Sequence, residues 1–355
     1  MENKTFFEYL CIADMERIHS QILAWIFSKD FNAINPNDKK ELLKKIFQLE
    51  NISDIKNVIT ESNKIDITIE TETEILIIEN KIKSSQHSNQ LSRYEEFCEI
   101  NYPNNKKRFY YLTLIDEESK TDNWKRISYV NIFKFLKDLK LKNANNHSVV
   151  FEEYLNYLEK LTNVLLHFQE NTRLYDMVFL DGKKKKSEKV DFKYQNVYEK
   201  FIAENQLETI LQKCFLNSIS NKINEVESWV METRGDALID FKLRDNIFLE
   251  GNNYITIIEL QGTIIKFAFI IEGEKYNKSE KKWIKDIIPK MQLLATNNRF
   301  GYSKCNEPKS KAYVSISKKL HKYYWHMNEE ELINFINSEI RNGMELTDAL
   351  LDLIN

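Results

Sequence analysis

The stretch Lys64-Ile65-Asp66-Ile67-Thr68-Ile69-Glu70-Thr71-Glu72-Thr73-Glu74-Ile75-Leu76-Ile77-Ile78-Glu79-Asn80-Lys81-Ile82-Lys83 decides the fold. Its first part alternates, placing Ile65, Ile67 and Ile69 on one side of a strand and Lys64, Asp66 and Thr68 on the other. After the polar Glu72-Thr73, residues Ile75 to Ile78 form an unbroken apolar run, the pattern of a strand covered on both faces. Beyond that run Glu79, Lys81 and Lys83 leave on a single face. A hairpin centred on Glu72-Thr73 opposes residues whose numbers sum to 145, which sets Asp66 across from Glu79. Opposed side chains have Cβ atoms about 4.5–5.5 Å apart. Two carboxylates that close repel unless a cation or a proton lies between them. A hard cation such as Mg2+ suits the arrangement. Lys81, one pleat further on, is placed to orient or deprotonate a metal-bound water, or to stabilise negative charge on a phosphodiester under attack. The plainer alternative is a charged cluster on a solvated sheet edge. The apolar run before Glu79 argues instead for a central strand, where charges are costly without a purpose.

Working outward, residues 6–28 read as one helix with Ile18, Ile22, Trp25 and Ile26 on its buried face. A second helix, Lys39 to Phe47, follows the breaker Asn35-Pro36-Asn37-Asp38. Three strands are expected at Asn57–Glu61, Lys64–Glu70 and Glu74–Lys83. Ser84-Ser85-Gln86-His87-Ser88 supplies N-cap candidates for a helix to about Ile100. Lys107–Ile115 and Ile127–Tyr129 read as strands, and 131–140 and 149–170 as helices. This order implies an α/β sandwich around a mixed sheet. Further on come helices over about 193–230 and strand candidates at 236–242, 245–250, 254–260 and 263–271. A helix at 279–296, a strand at 312–317 and two short helices close the chain as a second α+β domain.

A chain of 355 residues suggests two domains. The best boundary is Asp181-Gly182 with the lysine run that follows, giving residues 1–180, a Lys-rich linker 181–189 and a second domain 190–355. Four consecutive lysines, Lys183 to Lys186, read as a solvated linker or a phosphate-binding tract. Only 7 glycines and 4 prolines disfavour an all-β, turn-rich design. Residues 1–180 carry 24 basic against 28 acidic residues and the rest 27 against 26. A nucleic-acid binder ordinarily shows a basic footprint, so any phosphate-binding surface here is a local patch. The four cysteines lie about a hundred residues apart, without zinc-ligand spacing. Neither a signal pattern nor an 18-residue apolar stretch occurs, so a soluble cytoplasmic protein is expected.

At Asp66 and Glu79-Asn80-Lys81 the sequence resembles the PD-(D/E)XK nuclease superfamily, although Ile65 stands where the name-giving motif has Pro. The resemblance implies an αβββαβ restriction-endonuclease-like core, which matches the element order above over roughly residues 10–130. It also implies a Mg2+ or Mn2+ held by Asp66, Glu79 and the backbone carbonyl of Asn80, with Lys81 assisting the attacking water. Gln90 and Tyr94 fit the Q-x-x-x-Y motif of the RecB/Cas4-like branch. Gln86, Gln90 and Tyr94 share one helix stripe, placed to contact substrate or to brace the site. That branch often carries a helical His as a further metal ligand, and other branches a Glu there, which points to His19 or Glu16. Glu61, before Asp66, is an auxiliary carboxylate candidate.

The resemblance implies hydrolysis of phosphodiester bonds, of DNA before RNA, in phage defence, restriction or repair. A different class of function stays open: a non-catalytic binding or sensor protein that keeps the nuclease fold as a scaffold. In the second domain Lys278, Lys281, Lys282 and Lys285 recur at helical spacing, as a solvated face or as phosphate contacts. With Lys83, Lys281 and Lys285 are the candidates for nucleic-acid contact. Tyr323, Tyr324 and Trp325 suit core or interface packing better than base stacking. A protein partner or a second copy bound through this domain is a further expectation.

Overall fold

A computed structural model describes residues 4–83, 90–115, 117, 119, 121–142, 145–181, 196–233, 235–249, 252–271, 282–296, 300–306 and 313–354. The chain divides into two units, residues 1–174 with 184–214 and residues 175–183 with 215–355. The Lys-rich stretch 183–189 lies outside the described residues, as do Ser84–Ser88 with Gln86.

The first unit begins with α1 (Phe6–Leu10), where Thr5 and Glu8 exchange side-chain-to-backbone hydrogen bonds in a capping box. Cys11, at φ 51°, adopts the left-handed conformation that ends a helix. The expected single helix over 6–28 is therefore two, and α2 spans Glu16–Phe27. Its buried face is His19, Ser20, Leu23, Ala24, Ile26 and Phe27. Ile18, Ile22 and Trp25 are only half-buried. Asn35 is the N-cap of α3 (Pro36–Phe47) rather than part of a breaker, and Pro36 takes the first helical turn, where its missing N–H costs nothing.

Next come β1 (Ile55–Ser62), β2 (Ile65–Thr71) and β3 (Glu74–Lys81). They pair antiparallel in sequence, and the β2–β3 register runs from Ile67 opposite Ile78 to Glu70 opposite Ile75. Every one of these pairs sums to 145. Parallel pairing of β3 with β4 (Lys106–Thr113) needs a crossover, which α4 (Gln90–Asn101) supplies. β5 (Trp124–Ser128) adds in parallel to β4, completing a mixed sheet in the order β1-β2-β3-β4-β5. All eight residues of β3 are buried. Its Ile75 and Ile77 pack with Leu91, Tyr94 and Cys98 of α4. Along the chain follow helices α5 (Tyr129–Lys137), α6 (Asn146–Glu170), α7 (Thr172–Asp176), a π-turn at Met177–Asp181, α8 (Val197–Asn205) and α9 (Glu208–Ser220), of which the π-turn and the ends of α7 and α9 belong to the second unit.

In the second unit β6 (Ser228–Thr233) occupies the end of the segment expected as helix to about 230. β7 (Asp236–Leu249) joins the two strands expected at 236–242 and 245–250. The break expected at Leu243-Arg244 is a register irregularity within one strand, with Asn246 at φ 54°. β8 (Asn252–Gln261), β9 (Ile264–Ile271), α10 (Lys282–Thr296), the short β10 (Lys304–Asn306) and β11 (Tyr313–Lys319) follow. The six strands form an antiparallel sheet in the order β10-β11-β9-β8-β7-β6. In place of two short helices the chain has one long α11 (Glu329–Ile354) behind a 3-10 turn at Tyr324–His326. Tyr324 and Trp325 are buried, and the Trp325 indole N–H donates to Asp176 at 2.9 Å, so this aromatic run packs rather than stacks on bases. Both units are thus α/β in composition, with helices on a mixed sheet in the first and on an antiparallel sheet in the second. Among the described residues no helix is long and apolar enough to cross a membrane.

Candidate active site

Strand alternation sends Ile75, Ile77, Glu79 and Lys81 to the α4 side of β3, and Leu76, Ile78 and Asn80 to the other. The β2–β3 pairing ends at Ile67–Ile78, and one step further Asp66 meets the end of β3. Its Oδ2 accepts from the Asn80 N–H at 2.7 Å, and its carboxyl lies within hydrogen-bonding reach of Glu79. The N–H and C=O of one strand residue point to the same side. The carbonyl of Asn80 therefore emerges toward Asp66, where the ladder with β2 has stopped.

Lys81 reaches back along its own face, its Nζ 2.5 Å from Glu79 Oε1 and 4.0 Å from Glu16 Oε2. Glu16 comes from the first turn of α2, and its Oε1 accepts the N–H groups of Ile82 at 2.9 Å and Lys83 at 3.2 Å. Gln90 donates from Nε2 to Glu79 Oε1 at 2.9 Å and to the Tyr94 hydroxyl at 2.7 Å, and that hydroxyl donates to the Lys64 carbonyl at 2.5 Å. Three carboxylates and one ammonium thus converge on the end of β3.

The two acids of β3 behave differently. Glu74, at its start, has both oxygens taken by the Arg108 guanidinium at 2.9 and 3.0 Å, a bidentate pair. Glu79, at its end, is 1 % exposed, and its buried Oε2 has no hydrogen-bond donor among the described residues. Burial raises the Glu79 carboxyl well above the usual carboxylate range, the charge of Asp66 adds to this, and Lys81 opposes it. Burial likewise raises Asp66, opposed by the Asn80 N–H and by Lys81. Burial works against the Lys81 charge, but Glu79 and Glu16 outweigh it and raise the ammonium above its ordinary value. A site with this surplus of buried negative charge calls for a cation. Two carboxylates and a backbone carbonyl are hard oxygen donors of the kind Mg2+ and Mn2+ take. Among the described residues no group of three or more His, Cys, Asp or Glu side chains is arranged to hold a metal, so the backbone carbonyl matters to the fit.

The remaining candidates lie as follows. His19 is not brought to the carboxylates: it is 0 % exposed, with Nδ1 2.9 Å from the Tyr154 hydroxyl and Nε2 3.2 Å from the Ile12 carbonyl. Both ring nitrogens are engaged, and burial lowers the ring to about 4, so it stands neutral among Tyr129, Tyr154 and Tyr157. The helical residue brought beside Lys81 is Glu16, one turn earlier. Glu61 sits at φ 55° in the β1–β2 hairpin with its side chain exposed, and no contact joins it to Asp66. The Lys83 ammonium lies 3.4 Å from Asp14. Lys281, like Lys278, lies outside the described residues, and of Lys285 only the helical backbone is described. Lys213 of α9 was not foreseen: it is buried, and its ammonium donates to the Lys83 carbonyl, two residues beyond Lys81. A single lysine more than a hundred residues from the motif carries no signal in sequence.

A family model of the PD-(D/E)XK nuclease superfamily matches residues 4–232. The chain belongs to this superfamily. The match takes in α2, the whole five-stranded sheet and every residue of the constellation above. Members of the superfamily are usually metal-dependent nucleases, so the family places this chain among proteins that act on nucleic acid. Neither the curated proteins nor the solved structures contain a match to the chain.

Proposed function

We propose that the chain is a Mg2+- or Mn2+-dependent phosphodiesterase that cleaves nucleic acid, DNA before RNA, with Asp66, Glu79 and Lys81 as its catalytic residues. The observation that carries this reading is the buried Glu79 carboxyl beside Asp66, whose Oε2 has no hydrogen-bond donor among the described residues while Lys81 and Gln90 hold Oε1. Asp66, Glu79 and the Asn80 carbonyl would hold the cation. When bound, the ion polarises a phosphoryl oxygen and lowers the pKa of a coordinated water. Lys81, kept charged by Glu79 and Glu16, is placed to orient the attacking water and to stabilise the charge that gathers on the phosphorus oxygens. Gln90 fixes the free rotation of Glu79, and Tyr94 fixes Gln90 against the Lys64 carbonyl just before β2. This Gln90–Tyr94 brace supports placement near the RecB/Cas4-like branch. In the cell such an activity belongs to phage defence, restriction or repair.

The test is a digest of single- and double-stranded DNA and RNA with Mg2+, Mn2+ or EDTA, using the full chain and its Asp66→Ala, Glu79→Ala and Lys81→Ala variants. Cleavage is expected only with a divalent ion, and each substitution should reduce it by at least about 100-fold at an unchanged fold. Cleavage undiminished in all three variants would overturn the reading.

A further inference from the structure

The position between Glu79 and Lys81 leaves the sheet on the opposite face from both. Asn80 is 0 % exposed there, and each polar group of its carboxamide is used. Nδ2 donates to the Glu16 carbonyl at 3.0 Å and to Ser20 Oγ at 2.9 Å, and Oδ1 accepts from the Tyr129 hydroxyl at 2.9 Å. Ser20 Oγ in turn donates to the Glu16 carbonyl at 2.9 Å. The side chain thus grips the first turn of α2, the turn whose Glu16 carboxylate sits on the Ile82 and Lys83 N–H groups and beside Lys81. Through its own N–H the same residue holds Asp66.

We propose that Asn80 is a positioning residue of the metal site, its carboxamide fastening α2 to β3 so that Glu16 and Asp66 are held in one fixed relation to Glu79 and Lys81. The inference rests on the nuclease reading and adds to it a role for the side chain, where the motif by itself assigns only the backbone. An amide offers two N–H donors and an accepting oxygen. An aliphatic residue would fill the same volume but leave the Tyr129 hydroxyl and Ser20 without their partner, at the cost of unmade buried hydrogen bonds. Groups that orient metal ligands matter to affinity by about 10–100-fold without touching the ion.

The experiment is a calorimetric titration of the full chain with Mn2+, beside its Asn80→Ala, Asn80→Asp, Ser20→Ala, Tyr129→Phe and Asp66→Ala variants, with thermal melts of each. Asn80→Asp keeps the acceptor for Tyr129 and loses both donors to α2, whereas Tyr129→Phe keeps both donors. Asn80→Ala and Asn80→Asp are expected to weaken Mn2+ binding by about 10–100-fold, and Tyr129→Phe by less than about 10-fold. A role in packing alone would lower the melting temperature and leave Mn2+ affinity unchanged, and that result overturns the proposal. If the Asn80 variants fail to fold, Ser20→Ala decides, since it keeps Asn80 and removes one of its partners: unchanged affinity there overturns the proposal too. Binding abolished by Asp66→Ala yet untouched by Asn80→Ala and Ser20→Ala removes only the positioning role. Absence of Mn2+ binding by the unaltered chain removes the nuclease reading and this inference together.

Discussion

Glu79 and Asp66 lie within reach of each other in a place that excludes water, and without a divalent ion their best response is to keep a proton. Below about pH 3 both groups are protonated in the folded and unfolded chain and neither state gains. As pH rises, the unfolded chain gives up its protons near the ordinary values of 3.8 and 4.5. The folded chain holds on, to about 6 at Asp66 and about 8 at Glu79. Over that window the native state binds more protons, so its stability falls as pH rises and the full cost is present above pH 8. Asp66→Asn removes one of the two charges and keeps an oxygen for the Asn80 N–H. In EDTA at pH 8 this variant is expected to be more stable than the parent by roughly 1–3 kcal/mol, since one pKa unit corresponds to about 1.4 kcal/mol. Near about pH 3 the difference should vanish. Urea unfolding at the two pH values measures it, and a parent chain equally stable at both would contradict the buried-carboxyl account. Much of this pair was legible in sequence, because alternation and hairpin register are local rules. His19 was not, because a helical position tells which face a residue takes only after the helix start is known. Cys11 moved that start.

At the scale of elements, β3 and α4 together explain why a Gln and a Tyr four residues apart matter. The covered run Ile75–Ile78 announced a central strand, and all of β3 is buried. The spacing of Gln90 and Tyr94 announced a common stripe, yet left open whether that stripe meets substrate or the site itself. The hydrogen bonds from Gln90 to Glu79 and from Tyr94 to Lys64 give the stripe an inward task. A brace acts on the orientation of Glu79, so its loss should appear in kcat rather than in KM for nucleic acid. Gln90→Ala is expected to lower kcat by about 10–100-fold with KM changed little, in line with other groups that orient metal ligands. Tyr94→Phe keeps the ring among Ile75, Ile77 and Trp124 and should cost less. Steady-state cleavage kinetics separate the cases: a raised KM at unchanged kcat would return Gln90 to the substrate.

Over the whole molecule, the first unit was easier to read than the second because its elements follow local signals: a covered strand, alternating strands and a polar helix start. In the second, the irregularity around Arg244 splits β7 into what reads as two strands, β10 has three residues, and a helix of 26 residues has no break to announce its unity. Its packing also hinges on one residue that sequence passes over. Gly343 lies in α11 where the helix crosses β7 and β8, and a Cβ there would come within 2.7 Å of Ile258 Cγ1 and Leu243 Cδ1. One turn later Thr347 Oγ1 lies 2.9 Å from Thr256 Oγ1, so the helix is held down at this level and has little freedom to lift. On an exposed helix, replacing glycine with alanine stabilises by about 1 kcal/mol. Here the added methyl meets a branched chain fixed in the sheet, and overpacking of that kind costs about 1–3 kcal/mol. Gly343→Ala should therefore unfold at lower denaturant than the parent. Ile258→Val, harmless or mildly destabilising alone, removes the Cδ1 that the added Cβ would meet at 2.9 Å and should recover part of the loss in the double variant. Denaturant melts of the four proteins in that cycle give the answer. A Gly343→Ala variant at least as stable as the parent would mean that α11 lifts from the sheet at low cost and that propensity, not packing, governs this end of the chain.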